Sequence, residues 1–214
     1  MIASPKTHWN RVYTGKDPTS VSWYQPVPAH SLALIEATGL ERDAPIIDIG
    51  GGASLLVDHL LDAGYTDLTV LDIAASALEQ TRARLGERAG QVNWIESDVL
   101  DFVPARQYSL WHDRAALHFL TDSADRARYR TALEKALLPD GHVVISTFGP
   151  DGPLRCSGLE VERYSVDKLG ALLGPGFELR SHTLATHETP MGTKQQFLYG
   201  RWQRTTPKSP GECV

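Results

Sequence analysis

From Pro45 to Phe148 the chain alternates short, continuously apolar runs with longer stretches of helical periodicity, and no other feature restricts the fold as much. "PIIDIG" (Pro45–Gly50), "DLTVLDI" (Asp67–Ile73), "VNWIESD" (Val92–Asp98), "YSLWHD" (Tyr108–Asp113) and "HVVISTF" (His142–Phe148) predict five strands. Between them, helices are expected at Ala53–Gly64, Ala75–Glu87 and Asp125–Leu138, the last stopped by Pro139 and Gly141. Strands that are apolar throughout are buried on both faces, so the sheet is parallel and covered by helices on each side. After Phe148 the pattern changes to a glycine- and proline-rich loop over residues 149–164, followed by a short helix near Val166–Leu173. "FELRSHTLATHE" and "KQQFLYGRWQ", separated by "TPMGT", then predict a hairpin-like ending. The expected fold is a doubly wound α/β sheet, mostly parallel, with an antiparallel C-terminal strand.

A chain of 214 residues suits one domain and can bury a core without metals or disulfides. The domain is expected over 1–204. Its first 29 residues form an aromatic, irregular segment holding "HWNRVY" and "VSWYQ", and 205–214 a disordered tail. A hydrophobic fraction of 42% with 22% charged residues fits a soluble globular protein. A formal charge of -5 offers no general attraction for nucleic acid or anionic lipid. No apolar run is long enough to span a bilayer, and the N-terminus lacks the core of a secretion signal. Cys156 and Cys213 lie far apart, which fits a reduced cytoplasmic setting, and no metal site is expected.

"PIIDIGGGASLL" places three glycines between a buried strand and a helix, so the backbone there can approach a ligand closely. Asp48, Asp72, Asp98 and Asp113 fall at four successive strand ends, the rim where an open parallel sheet binds its ligand. A dinucleotide would bring a pyrophosphate against the acid in the glycine turn, and the two would repel. S-adenosyl-L-methionine has no phosphate and carries an ammonium and a sulfonium, which carboxylates and aromatic rings attract. On these residues adenosylmethionine is the better ligand.

"IIDIGGGAS" resembles the first motif of class I S-adenosylmethionine-dependent methyltransferases, "LTVLDI" the second and "IESDVLDF" the third. "YSLWHDRAALHFL" is similar to the fourth-strand motif of the branch holding thiopurine-type and some small lysine methyltransferases, and the early "HWNRVY…VSWYQ" resembles that branch's aromatic lid. The resemblance runs from about Trp9 to Trp202. It implies a Rossmann-like fold and the following roles. Gly50 and Gly52 let the backbone pass under the methionine portion, and Asp48 holds its ammonium. Asp72 takes the ribose hydroxyls and Ile73 lies on the adenine. Asp98 and the Val99 N–H bind the adenine edge, Asp113 sits beside the transferring methyl, and Trp9 and Tyr13 close the site from above. Two departures stand out: Ser54 replaces a commoner glycine, and the fourth motif reads Asp-Arg in place of the Asn/Asp-Pro-Pro-aromatic of nucleic-acid amine methyltransferases.

Methyl transfer by in-line displacement needs mainly positioning. Trp23 and Tyr24 are candidates for an aromatic wall near the sulfonium. His118, together with His112 and Asp113, is the candidate for moving a proton, and Cys156, Arg114 and Arg155 for meeting the acceptor. The leading expectation is a small-molecule acceptor (thiol, chalcogen or amine). A protein lysine is the alternative, and a non-catalytic module that binds the cofactor is a further one.

Overall fold

The computed structural model describes residues 4–15 and 17–205. The expected tail, apart from Thr205, and Cys213 lie outside the described residues. Strands β1 (Ile46–Ile49), β2 (Leu68–Asp72), β3 (Val92–Glu96), β4 (Tyr108–Arg114) and β5 (Leu137–Phe148) are mutually parallel. A two-stranded ladder, β6 (Arg155–Cys156) and β7 (Leu159–Glu160), interrupts the loop that follows. The long strands β8 (Phe177–Glu188) and β9 (Lys194–Arg204) form the closing hairpin. The sheet order is β3-β2-β1-β4-β5-β9-β8, so β9 alone runs against the rest.

Helices α1 (Pro5–Gly15), α2 (Ala29–Glu36), α3 (Leu56–Asp62), α4 (Ala75–Leu85), α5 (Ser123–Ala136) and α6 (Val166–Leu173) surround the sheet. The start of α5 follows from Asp122, whose carboxylate accepts the Ala124 N–H at 2.7 Å. Ser165 caps α6 in the same way, and Gly174, at φ +84°, stops it. Helix α5 buries Tyr129, Leu133 and Ala136 against Trp111, Leu137 and Trp202 on one face of the sheet. On the other face α3 and α4 bury Leu56, Val57, Leu60, Leu78 and Leu85 against Ile46, Leu68, Val70 and Leu110. Each large side chain removed from water in these layers contributes about 1.5–3 kcal/mol. Among the described residues no helix is long and apolar enough to cross a membrane.

Two expectations change. The segment around Trp9 and Tyr13 is not irregular but helical, which places these two rings one turn apart on one side of α1. Pro139 and Gly141 do not separate α5 from β5, because β5 already begins at Leu137. They instead form a bulge: Tyr108 pairs with Leu137 and Leu110 with His142, while Asp140 turns at φ +58°.

Candidate active site

Strand β1 lies between β2 and β4, and the chain leaves the two sides of β1 in opposite directions, which opens a crevice at the carboxyl ends of the strands. A cavity of about 260 Å³ occupies it. At one end stand Asp72 and Ile73 after β2 and Asp98 and Val99 after β3; at the other stand His118, Phe148, Cys156, Gln195 and Phe197. Trp9 and Tyr13 of α1 roof it together with Trp23, which stands edge-on to both rings at 5.9 and 6.1 Å. Arg114 lines the cavity and also a smaller polar recess beside it, where Asp48, Gly50, Tyr24 and His112 are found.

The four strand-end acids do not share this rim. Asp72 and Asp98 line the cavity, while Asp48 and Asp113 do not. Asp72 accepts the N–H of Gly52 at 3.0 Å and of Ala74 at 2.8 Å. Burial pushes its pKa up to about 6 against the pull of those two N–H groups. Asp98 accepts the Leu100 N–H at 2.9 Å, which fixes the turn leading out of β3. Asp48 is paired at 2.6 Å with His112 Nδ1, and His112 Nε2 lies 2.9 Å from the Ser31 hydroxyl. This clamps His112 inside the fold at 2% exposure, so the expected proton-moving role does not fit it. The second carboxylate oxygen of Asp48 is buried without a partner.

Asp113 requires the largest correction. It is completely buried, accepts the Ala116 and Leu117 N–H groups at 2.9 and 3.1 Å, and accepts the Tyr129 hydroxyl at 2.7 Å. Trp111 Nε1 donates to the same Tyr129 oxygen at 2.9 Å. Asp113 sits beside Ile49 and points with Trp111 toward α5, where Tyr129 and the N–H groups of the turn take up its carboxylate. Burial again pushes its pKa up to about 6. It braces the turn after β4 and does not reach the place expected for a reacting group.

The glycines also divide. Gly50, at φ +67°, lines the cavity, and a Cβ there would meet Ala116 at 3.0 Å. Gly52 does not line it; a Cβ on Gly52 would meet Asp72 Oδ2 at 2.5 Å and Ala77 at 2.6 Å. Its bare Cα therefore serves the seat of Asp72 rather than contact with a ligand, a second correction. Gly51 makes room for Asp48 in the same manner. Ser54 caps the approach to α3 by accepting the Leu56 N–H at 3.1 Å.

At the far wall, His118 Nδ1 accepts the Phe148 N–H at 3.4 Å, while Nε2 is buried without a partner. Burial, and secondarily the nearby Arg114 charge, lower its pKa to about 3, so the ring is neutral. Arg114 donates through Nη1 to the Trp23 carbonyl at 2.9 Å and lies 5.2 Å over the Phe197 ring. Cys156 lines the cavity, but Arg155 points out to the Gly158 carbonyl. Tyr24 reaches only the smaller recess. Sequence reasoning missed Phe148, Gln195 and Phe197, because nothing local in "HVVISTF" or "KQQFLYG" marks them as more than strand residues.

A family model described as a methyltransferase domain matches residues 47–143, the stretch from β1 into β5 that carries Asp48, Asp72, Asp98 and Asp113. This stretch is similar to a methyltransferase domain, and the architecture around it is a Rossmann-like α/β fold. The eEF1A lysine and N-terminal methyltransferase of Mus musculus is 22% identical over 85% of this chain and 25% of its own length. Nodulation protein S of Rhizobium tropici is 31% identical over 55% of this chain and 49% of its own length. The chain thus spans at most about half of these two relatives. Among solved structures, one from work on the conversion of a disulfide bond into a thioacetal in echinomycin biosynthesis superimposes with a TM-score of 0.76, covering 94% of this chain and 93% of that one at 20% identity. The N-methyltransferase NodS of Bradyrhizobium japonicum, in complex with S-adenosyl-L-homocysteine, gives 0.66 over 83% and 85% at 18% identity. At these identities the structures attest the fold alone.

The described residues fit S-adenosylmethionine, the ligand expected from the sequence. A buried carboxylate oxygen of Asp48 lacks a partner, Gly50 keeps its backbone bare at the cavity wall, and two acids with a layer of aromatic rings line the space beyond. At the β1 turn the side chains nearest Gly51 and Gly52 are carboxylates, which a pyrophosphate would meet with repulsion.

Proposed function

We propose that this methyltransferase domain transfers the methyl group of S-adenosylmethionine to a small molecule that enters the cavity whole. One observation carries the reading: a single cavity runs from Asp72 and Asp98 to Phe148, Cys156 and Phe197 beneath a roof of Trp9, Tyr13 and Trp23. A roofed chamber of about 260 Å³ has room for small ligands and little for a polypeptide.

When bound, S-adenosylmethionine supplies a methyl group activated by a positively charged sulfur. The chain supplies the placement. Asp72 takes the ribose hydroxyls, while Asp98 and the Val99 N–H hold the adenine edge, with Ile73 against its face. The free oxygen of Asp48 takes the ammonium beside the bare backbone of Gly50. Trp9 and Tyr13 close over the site, exclude water and present ring faces to a cation, each worth about 0.5–2 kcal/mol. Holding nucleophile and methyl in line at about 3–3.5 Å then provides most of the acceleration.

A protein lysine is the competing acceptor, favoured by what the mouse relative's name says of that protein. A lysine side chain would have to bring its ammonium past the roof to a wall that carries a guanidinium. Incubating the protein with methyl-tritiated cofactor and a cell extract decides between them. Label is expected in a new low-mass product that separates from the cofactor by chromatography. Label confined to a protein band would overturn the reading, and a cofactor bound without any turnover would leave only a sensing module.

A further inference from the structure

We infer that the acceptor reaches this site as an anion, its nucleophilic atom already deprotonated, held by the Arg114 guanidinium and the ring N–H of His118 within aromatic walls. The inference rests on the small-molecule reading above and names the chemical class of that molecule.

The tautomer of His118 follows from its surroundings. Nδ1 accepts the Phe148 N–H, so the ring proton is on Nε2, and His118 is a donor there. That donor is buried and without a partner in a residue that lines the cavity. The ring has no free lone pair with which to take a proton, and burial keeps it from becoming a cation. His118 can therefore present a hydrogen bond to an acceptor atom but cannot serve as its base.

Arg114 points the same way. Its Nη1 is used by the Trp23 carbonyl and its Nε by the Tyr199 hydroxyl at 3.4 Å, while Nη2 is buried without a partner. Among the described residues no carboxylate forms an ion pair with it. Its neighbour Asp113 is turned to the other face and bound to Tyr129. A half-buried guanidinium lacking a counter-ion is a site for an anion, because a charge left unpaired in a poorly solvated place is costly.

Every other titratable group around the chamber fails as a base. Tyr13, on the roof, is kept protonated because burial, and then Asp72, raise its pKa well above the usual value. His187, behind Phe197, has its ring nitrogens against the Ser22 carbonyl at 2.8 Å and the Gln25 amide at 3.5 Å. Asp72 and Asp98 belong to the opposite end, and Asp125 is paired with Arg128 at 3.3 Å. Cys156 and the Tyr199 hydroxyl complete the set, the latter held by Arg114. An alkylammonium acceptor would find no group here to take its proton and a like charge to meet it. A thiolate or similarly acidic nucleophile needs neither. Its proton goes to solvent before binding. Its lone pair forms the new bond to the methyl carbon, and the pair of the breaking carbon–sulfur bond stays on the former sulfonium sulfur, so that one anion and one cation become two neutral products.

The test uses the whole protein with thiophenols of graded acidity and with benzylamine as a cationic counterpart. Thiophenols are expected to be methylated in preference to benzylamine, and the acid limb of kcat/KM to move with each thiol's own pKa. Arg114→Gln should raise the thiol KM about tenfold or more without changing the cofactor Kd measured by calorimetry. Preferred methylation of benzylamine, or an acid limb fixed across the series, would overturn the inference. So would an Arg114→Gln protein that loses cofactor affinity and keeps its thiol KM, since the guanidinium would then hold the cofactor's carboxylate. If the variant is unstable, the wild-type acid limb and the benzylamine comparison decide alone. If the extract yields a labelled small molecule but no thiol of the series reacts, the anionic acceptor falls while the small-molecule reading stands. Label confined to protein removes both.

Discussion

Replacing Asp113 separates the bracing function seen in the structure from the chemical one suggested by its position in the sequence. Asp113→Ala removes the acceptor for the Ala116 and Leu117 N–H groups and for the Tyr129 hydroxyl, all in a place closed to water. Each buried donor left unpaired costs about 1–3 kcal/mol, so a loss of about 3–5 kcal/mol is expected. For a chain of this size that lowers Tm by roughly 6–20 °C. Asp113→Asn keeps the shape and one acceptor oxygen and removes the charge. Its effect depends on pH in a defined direction. The native carboxyl stays protonated up to about 6, against an ordinary value of 3.8, so between these limits the native state holds more protons than the unfolded chain. Wild-type stability therefore falls as pH rises through this window, by roughly 3 kcal/mol in all, and the asparagine variant lacks this slope. Urea denaturation of both proteins at pH 4.5 and pH 7 measures most of it: the stability difference should shift by about 2 kcal/mol in favour of asparagine at the higher pH. At pH 7, methyl transfer by Asp113→Asn should persist. A variant as stable as wild type at both pH values but devoid of turnover would refute the bracing role and return Asp113 to the chemistry.

Two further outcomes follow from the same hydrogen bonds. Asp72→Ala should weaken S-adenosylmethionine binding by about 1.5–3 kcal/mol in calorimetry, and an unchanged affinity would remove Asp72 from the cofactor site. His112→Leu should cost about 3–5 kcal/mol of stability, because it leaves Asp48 buried with no partner. In a double-mutant cycle with Asp48→Asn the two losses should couple strongly, and simple additivity would show that the pair is not a unit.

The sheet was legible in the sequence because parallel strands buried on both faces leave continuous apolar runs, as in Ile46–Ile49 and Leu68–Asp72. The part of the cavity lining that follows β1, β2 and β3 was legible for a related reason. A glycine turn and acids at strand ends are local features, and the topology brings strand ends together whatever the loops do. The acceptor end was not. Phe148, Cys156, Gln195 and Phe197 come from β5, β6 and β9 and meet only because β9 inserts beside β5. No local spacing encodes that meeting. Helix α1 was missed for a different reason: its hydrophobic rings are few, and its stability comes from seating Trp9 and Tyr13 on Trp23, Ala74 and Ala77 rather than from its own propensity.

The four acids show how far strand position can be trusted. Side chains alternate along a strand, so neighbouring residues at a strand end face opposite ways even when both lie on the rim. Asp48 stands beside His112, and both face Ser31 of α2; Asp113 stands beside Ile49 and faces Tyr129 of α5. One residue further along β4 the direction reverses again, and Arg114 shares the His112 side and reaches the cavity. Asp113 and Arg114 therefore exchange the expected order of importance: the carboxylate is spent on the frame, and the cation lines the cavity. A slip of β4 by one residue would exchange the faces of all its side chains, carrying the carboxylate to the side now held by His112 and burying the guanidinium against Tyr129 of α5, with no acid to pair it. The register of β4 against β1 thus sets the sign of the charge at the acceptor end. That sign separates a site for anions from one for ammonium groups on an otherwise shared fold.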